Sequence, residues 1–281
     1  MTSNSFKLAC IQLAVGSNKR TNLDRAKGKI LEAAREGANV VVLPECFNSP
    51  YGTQYFAEYA ESIPEGESVS VLSQAAKEAK VLLVPFRNET KNPANCTTHA
   101  LCIILKAREL IATHRKIHLF DIDIPGKIRF QESDILKPGN SLTIFDTAYG
   151  KMSIGICYDM RFPELAMIAA RKACVMMIYP GAFNMITGPL HWELLQRARA
   201  VDNQLFVATC SPARDMNATY NAWGHSTVVD PSGQIIATTE HEEATVYAEI
   251  DLQQLQTVRQ SIPVSMQRRF DIYVDVAANA K

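Results

Sequence analysis

An excess of charge of either sign is missing from these 281 residues: Lys plus Arg number 29, Asp plus Glu number 29, and the formal net charge is zero. No global field therefore draws the chain toward nucleic acid or an anionic membrane, so recognition of charge has to be local. Long hydrophobic runs are missing too. Runs such as Val40-Val41-Val42-Leu43 are strand-sized, far short of the roughly 20 residues that cross a bilayer. The segment from Met1 to Lys7 enters its first apolar run with no basic region, long hydrophobic region or small-residue cleavage site, which predicts a cytoplasmic protein.

Clustered cysteine is the next absence. Cys10, Cys46, Cys96, Cys102, Cys157, Cys174 and Cys210 are odd in number and scattered, with no C-x-x-C pair and no grouped histidines. That argues against a disulfide framework and against a metal site, and for reduced thiols that mostly fill core, with room for one reactive one. No repeat, low-complexity tract or Gly/Ser/Pro-rich linker divides the chain. One domain over 1–281 is the expectation.

What is there is a mixture of short apolar runs and helical periodicities. Residues 6–13 read as a strand, and Asn22 as the N-cap of a helix on which Leu23, Ala26, Ile30 and Ala33 share a face, with Gly37 as its stop. Residues 40–43 form a continuously apolar strand, as expected when both sheet faces are covered. A helix over 69–80 and an apolar run over 81–84 follow. Later, strands are read at 152–156, 175–179 and 205–209, with helices over 164–174 and 189–202. Asp230-Pro231-Ser232-Gly233 has the composition of a hairpin turn between 225–229 and 234–238. A strand at 246–250 and a helix at 252–260 close the pattern, and the fold class is α/β of mixed type.

Four residues invite a chemical reading. Cys157 ends a strand just before a helix that starts near Pro163, where a turn projects a side chain and the helix start offers free N–H groups; the bland alternative is a core cysteine. Glu45 stands between apolar neighbours, where burial would raise its pKa toward that of a base; otherwise it is a solvated strand end. Lys116 is either part of a solvated basic turn or a cation able to stabilise an oxyanion. Glu132 is anonymous by itself.

In chain order, Leu43-Pro44-Glu45, Arg115-Lys116-Ile117-His118-Leu119-Phe120 and Gly155-Ile156-Cys157-Tyr158-Asp159-Met160-Arg161-Phe162-Pro163-Glu164 resemble the nitrilase superfamily with its Glu, Lys, Cys triad. The resemblance extends over nearly the whole chain. It includes Tyr179-Pro180-Gly181-Ala182-Phe183-Asn184, Thr187-Gly188-Pro189, His191-Trp192-Glu193 and Arg199-Ala200-Val201-Asp202-Asn203-Gln204.

This resemblance implies a four-layer α-β-β-α sandwich and a cysteine amidase. Cys157 would attack an amide carbon and Glu45 would move the proton, while Lys116 and the backbone N–H of Tyr158 would hold the oxyanion. A buried ammonium beside the thiol would also favour thiolate. Glu132 would keep Lys116 charged. Arg161 would grip a substrate carboxylate, unless it merely pairs with Glu164, and Tyr51, Phe183 and Thr187 would line the pocket.

The implied substrate is a small alpha-keto dicarboxylate half-amide such as 2-oxoglutaramate or 2-oxosuccinamate, hydrolysed without cofactor. Alternatives are an amidase for deaminated glutathione and a non-catalytic oligomeric scaffold. His191 and Trp192 read as packing or pocket support, and His225 lacks ligand spacing. A homodimer is implied, built on the helix after the nucleophile and a C-terminal arm at 266–281.

Between 85 and 108 the resemblance fails. A Gly-Gly-Ser-Ile-Pro-Glu turn and a Leu-Tyr-Asn-Thr strand start are replaced by Val84-Pro85-Phe86-Arg87-Asn88-Glu89-Thr90 and by Asn95-Cys96-Thr97-Thr98-His99-Ala100. Residues 95–107 can be encoded so that reading two nucleotides later yields Leu-Tyr-Asn-Thr-Cys-Thr-Val-Tyr-Asn-Pro-Lys-Gly, which points to a local frame change, the alternative being a genuine variant loop. The new residues offer no period-two pattern against the family register. The expectation is a displaced strand that moves Lys116 by about an ångström, a misplacement able to cost about 100-fold in rate.

Overall fold

The computed structural model describes residues 4–90, 98–106, 109–278 and 280. In chain order the elements begin with β1 (Ser5–Gln12), α1 (Lys19–Arg35), β2 (Val40–Val42), α2 (Thr53–Tyr59), α3 (Glu67–Ala79) and β3 (Leu82–Val84). Then come β4 (Phe86–Thr90), β5 (Thr98–Lys106), β6 (Glu109–Arg115), β7 (Asp121–Ile124), β8 (Ile128–Gln131), β9 (Thr143–Thr147) and β10 (Gly150–Ile154). The remainder is α4 (Pro163–Arg171), β11 (Cys174–Pro180), α5 (Gly188–Asn203), β12 (Phe206–Cys210), β13 (Thr227–Val229), β14 (Ile235–Thr238), β15 (Ala244–Asp251) and α6 (Leu252–Ser261).

One large sheet runs in the order β15-β1-β2-β3-β5-β4 with β6 paired to β5, a second in the order β14-β13-β12-β11-β10-β9, and β7 and β8 form a separate two-stranded ribbon. Side-chain alternation along the strands explains why the sheets stack. On β1, Phe6, Leu8 and Cys10 enter the core shared with Met152 and Ile154 of β10, Met176 and Ile178 of β11, and Phe206 and Ala208 of β12. Ala9 and Ile11 point the other way, onto Leu23, Ala26 and Ile30 of α1 and Leu72, Ala75 and Ala76 of α3. α4 and α5 cover the second sheet through Leu165, Ala169, Trp192 and Ala200. The four layers α-β-β-α follow from this period-two sorting.

β5 differs from expectation. It is a central strand, antiparallel to β3, β4 and β6, although its sequence departs from the family pattern. The physical reason is that residues 100–105 are apolar at both parities: Ala100, Cys102 and Ile104 face the other sheet, while Leu101, Ile103 and Leu105 face α3. A strand covered on both faces needs no alternation. The backbone N–H of Lys116 donates to Ala100 O at 2.8 Å, so the catalytic-side end of β6 stays seated on this strand. Cys96 lies outside the described residues.

Asn22 is not the N-cap of α1. Asn18 caps it, accepting from the Thr21 N–H at 3.0 Å, while buried Asn22 sits one turn in and exchanges hydrogen bonds with both backbone groups of Gly16. The apolar face begins at Leu23, one turn after the first backbone turn, which is why periodicity alone starts the helix late. The hairpin between β13 and β14 is as expected: Gly233 takes φ +81° and Asp230 accepts from the N–H groups of Ser232 and Gln234.

The tail lies along its own chain. Arg171 pairs with Asp275 at 2.9 Å and stacks on Phe270, and Arg268 donates to Asp202 O. Leu190 and Leu194 on α5, with Met266, Ile272 and Val274 of the tail, remain exposed. Among the described residues, no helix is long and apolar enough to cross a membrane.

Candidate active site

The site forms where the ends of the two sheets meet. Glu45 follows β2, and its carboxylate accepts from the N–H of Ala182, beyond the end of β11, at 2.9 Å. Lys116 follows β6. Its ammonium is fully buried and donates to Glu132 Oε1 at 2.9 Å and to Glu45 Oε1 at 3.2 Å. Glu132 also accepts from the Tyr51 hydroxyl at 2.9 Å and from the Phe120 N–H at 2.7 Å. Two acids and one base, buried together, thus have their polar atoms met by one another and by backbone, the condition under which such groups can be kept inside.

Cys157 opens a short 3-10 turn, Cys157–Arg161, directly after β10 and takes φ +46°. A non-glycine residue in this region costs of order 1–3 kcal/mol, and such strain gathers at functional sites. Two glycines make space for the turn. A Cβ on Gly155 would meet Tyr179 at 2.5 Å, and one on Gly181 would meet the Cys157 Cα at 2.9 Å.

Asp159, two residues on, ties this turn to the lysine segment. It accepts from the Ile156 N–H at 2.9 Å and from both the backbone N–H and the ring Nδ1 of His118 at 2.8 Å, with His114 Nε2 3.6 Å away. Burial opposes its ionisation, yet the facing His114 and His118 hold its carboxyl well below the usual carboxylate range.

The electrostatics of the buried set are decided by desolvation first. Burial pushes Glu45 up to about 7, against the lowering effect of Lys116. Burial alone would lower Lys116, but Glu132 and Glu45 outweigh it and hold the ammonium charged. The Cys157 thiol is raised well above its ordinary value by burial and by Glu45, more than Lys116 lowers it. Lys116 pulls the thiol toward thiolate as expected, but burial and the carboxylates outweigh it, so the neutral thiol is favoured and a base is needed to take its proton.

On the far side of the turn Arg161 lies with its guanidinium 4.7 Å from the Phe183 ring and 5.5 Å from that of Tyr158. It reaches His191 Nδ1 at 3.1 Å. Among the described residues no ion pair joins it to Glu164, the alternative that its spacing allowed. Thr187 is buried, its N–H and hydroxyl both donating to Asn184 Oδ1. Tyr51 stacks against Phe130 and Tyr220.

Of the residues singled out from the sequence, Glu45, Tyr51, Lys116, Glu132 and Cys157 form one buried group, and Arg161, Tyr158 and Phe183 pack together beside it. Tyr220 and Asp159 were missed as site residues. Tyr220 donates to Ala182 O at 2.6 Å and lies near enough to Glu45, Glu132 and Cys157 to be raised by them after burial, but a tyrosine in a loop carries no local signal. Arg199, read only as part of a motif, is buried in α5 and donates to the carbonyls of Met160 and Arg161 at 3.0 Å each, fastening the turn from behind.

His225 gains neighbours its spacing did not announce, since Glu240 and His241 bring donor atoms within 4.8 Å of one another. The Glu240 side chain is 80% exposed and Glu242 engages His241 at 3.3 Å, so the group stands as a solvated charge cluster.

A sandwich of two sheets with a strained cysteine, a buried ammonium and paired carboxylates at their junction defines a hydrolase site of the kind found in carbon-nitrogen hydrolases. The chain matches that family over residues 7–260 and belongs to it.

Among curated relatives, the omega-amidase NIT2 of Danio rerio is 57% identical over 274 residues, covering 96% of this chain and 97% of that protein. The omega-amidase NIT2 of Homo sapiens is 55% identical over 269 residues, covering 96% of this chain and 97% of its own length. Among solved structures, Saccharomyces cerevisiae Nit3, a member of branch 10 of the nitrilase superfamily, superposes with a TM-score of 0.88 at 46% identity, covering 96% of this chain and 98% of that one.

Proposed function

We propose that this protein is an omega-amidase, hydrolysing the terminal amide of small alpha-keto dicarboxylate half-amides such as 2-oxoglutaramate and 2-oxosuccinamate to the dicarboxylate and ammonia. The observation that carries the reading is the convergence of Glu45, Lys116, Glu132 and Cys157 in one buried cluster, with the Arg161 cation on the other side of the nucleophile turn. Similarity to the omega-amidases of Danio rerio and Homo sapiens supports the same substrate class.

The reaction follows from the charges. Glu45 takes the Cys157 thiol proton as Sγ bonds to the amide carbon. Lys116 and the Tyr158 N–H stabilise the resulting oxyanion. Protonated Glu45 then returns its proton to the amide nitrogen, the C–N bond breaks and ammonia leaves a thioester. Water attacks the thioester, giving a proton to Glu45, and the C–S bond breaks as the thiol is restored. Glu132 holds Lys116 in place and charged. Arg161 binds the alpha-keto acid carboxylate, and Tyr51, Phe183 and Thr187 shape the remaining wall.

The exposed apolar residues Leu190 and Leu194 of α5, together with Met266, Ile272 and Val274 of the tail, support a homodimer through this face. A cytoplasmic location accords with the reduced state of the six described cysteines, which are all free.

The test is ammonia release from both keto half-amides, with Cys157→Ala as the blank. Release that disappears in the blank is the expected result; a folded wild-type protein that releases none overturns the reading.

A further inference from the structure

The Arg161 guanidinium offers five N–H donors and no acceptor, so which of its edges is free decides what it can grip. Its Nη1 is occupied, lying 3.1 Å from His191 Nδ1. Its Nε is buried and meets no partner. Phe183 lies against the guanidinium at 4.7 Å and fixes its plane. Because arginine only donates, Nδ1 of His191 must be the acceptor, which assigns the ring as neutral with its proton on Nε2.

His191 sits in the first turn of α5, its backbone N–H donating to Thr187 O at 3.0 Å. It is thus carried by the same helix that supplies Trp192, whose ring packs edge-on against Phe183 at 5.0 Å. The acceptor and the aromatic platform are held by one rigid element.

From this geometry we infer that His191 is the positioning residue for substrate recognition: by engaging Nη1 it turns the unpaired Nε edge of Arg161 toward the pocket for bidentate binding of a substrate carboxylate. The inference rests on the proposed function and deepens it, since it assigns what aims the cation rather than what the cation binds. A fork presented edge-on matches two carboxylate oxygens in parallel, whereas a freely rotating guanidinium loses that match and with it selectivity for an acid over a neutral amide.

The charge state follows the same logic. Burial and then the facing Arg161 push the His191 pKa down, so the neutral acceptor persists through neutral pH. Arg161, from the nucleophile turn, is the charged group the structure sets against the ring. Protonation of His191 at low pH would replace an acceptor with a second donor facing a cation, and Arg161 would be turned away.

The experiment compares wild type with His191→Leu and His191→Asn on 2-oxosuccinamate, with KM and kcat measured across pH 5.5 to 8 as an order-of-magnitude window around the ordinary histidine value of about 6.5. His191→Leu is expected to raise KM about tenfold with kcat changed by less than about threefold, the signature of lost binding in ground and transition state alike. His191→Asn, which keeps an acceptor oxygen, is expected to restore most of the KM and to abolish its rise at low pH. An unchanged KM in His191→Leu, or equal damage from Leu and Asn, overturns the inference.

Calorimetric binding of 2-oxoglutarate is measured on the same proteins and separates the two ideas. If neither keto half-amide is turned over but His191→Leu binds the dicarboxylate about tenfold more weakly, the activity fails and the positioning role stands. Equal binding by wild type and His191→Leu overturns the role whatever the activity.

Discussion

Asp159 Oδ1 lies 2.8 Å from both the backbone nitrogen and the ring Nδ1 of His118. Through this double contact the turn that begins at Cys157 is tied to the segment that carries Lys116, and the nucleophile and cation come from different sheets. Replacing Asp159 by Asn keeps the size but puts an amide where an ionised acceptor met several donors. A loss of about 3 kcal/mol is expected, in the range for breaking a buried charged network, read as a fall in denaturant midpoint. Activity should fall by about 100-fold in the protein that remains folded, as misplacement of catalytic groups by about an ångström does.

The same residue sets an acid limit on stability. Its folded pKa is depressed, so its contribution is present above its unfolded pKa of about 4 and is lost as pH falls from there toward the folded value. Urea unfolding between about pH 5 and 3 should show a steeper loss of stability for the wild type than for Asp159→Asn, which lacks the titrating group.

Glu45 governs the acid side of activity. It must be ionised to accept the thiol proton, and its pKa is raised to about 7 by burial. As pH falls through about 7 the base is protonated, so kcat/KM is expected to drop, approaching tenfold per pH unit at the acid end. A pH-independent kcat/KM down to about 5 would remove Glu45 as the base.

Glu132 raises Glu45 electrostatically as well as holding Lys116. Glu132→Gln should therefore do two separable things. It should lower kcat by about 100-fold through a less firmly placed ammonium, and it should shift the acid limb of the pH profile to lower pH because one negative neighbour of Glu45 is gone. A purely structural role would lower activity without moving the limb.

Gly181→Ala tests the packing behind the nucleophile. The added Cβ would approach the Cys157 Cα to 2.9 Å, and backbone, not a flexible side chain, would have to yield. Overpacking of this kind costs about 1–3 kcal/mol, but the sharper consequence is a fall of about 100-fold in kcat as Cys157 is displaced. Thermal unfolding and single-turnover kinetics on the same preparation separate the two effects.

Much of this site was legible because particular residue types stood at particular places. Glu45 and Cys157 each follow a strand whose apolar pattern was readable, and α/β sheets gather their chemistry at strand ends; the mostly half-buried strand that ends before Lys116 carries no such pattern. Arg161 was legible as a cation near the nucleophile, but its partner was not: Glu164 was the neighbour in sequence, and His191, thirty positions away, is the neighbour in space. The balance of charges at the thiol was hidden for a related reason. A nearby lysine suggested thiolate, while burial and Glu45 outweigh it, and desolvation cannot be read from spacing.

The atypical 85–108 segment shows the same division. Its lack of alternation led to the expectation of a displaced strand, whereas residues 100–105 are apolar on both parities and fill both faces of the sheet. Apolar content, which is local, determined that β5 would be a buried strand, and chain order placed Glu45 and Cys157 at the ends of theirs. The tertiary structure alone decided that Asp159 joins the two halves of the site and that Arg161 leans on Phe183 and His191. Those outcomes depend on desolvation and on contacts between residues far apart in the chain, and both come into being only when the sheets close on each other.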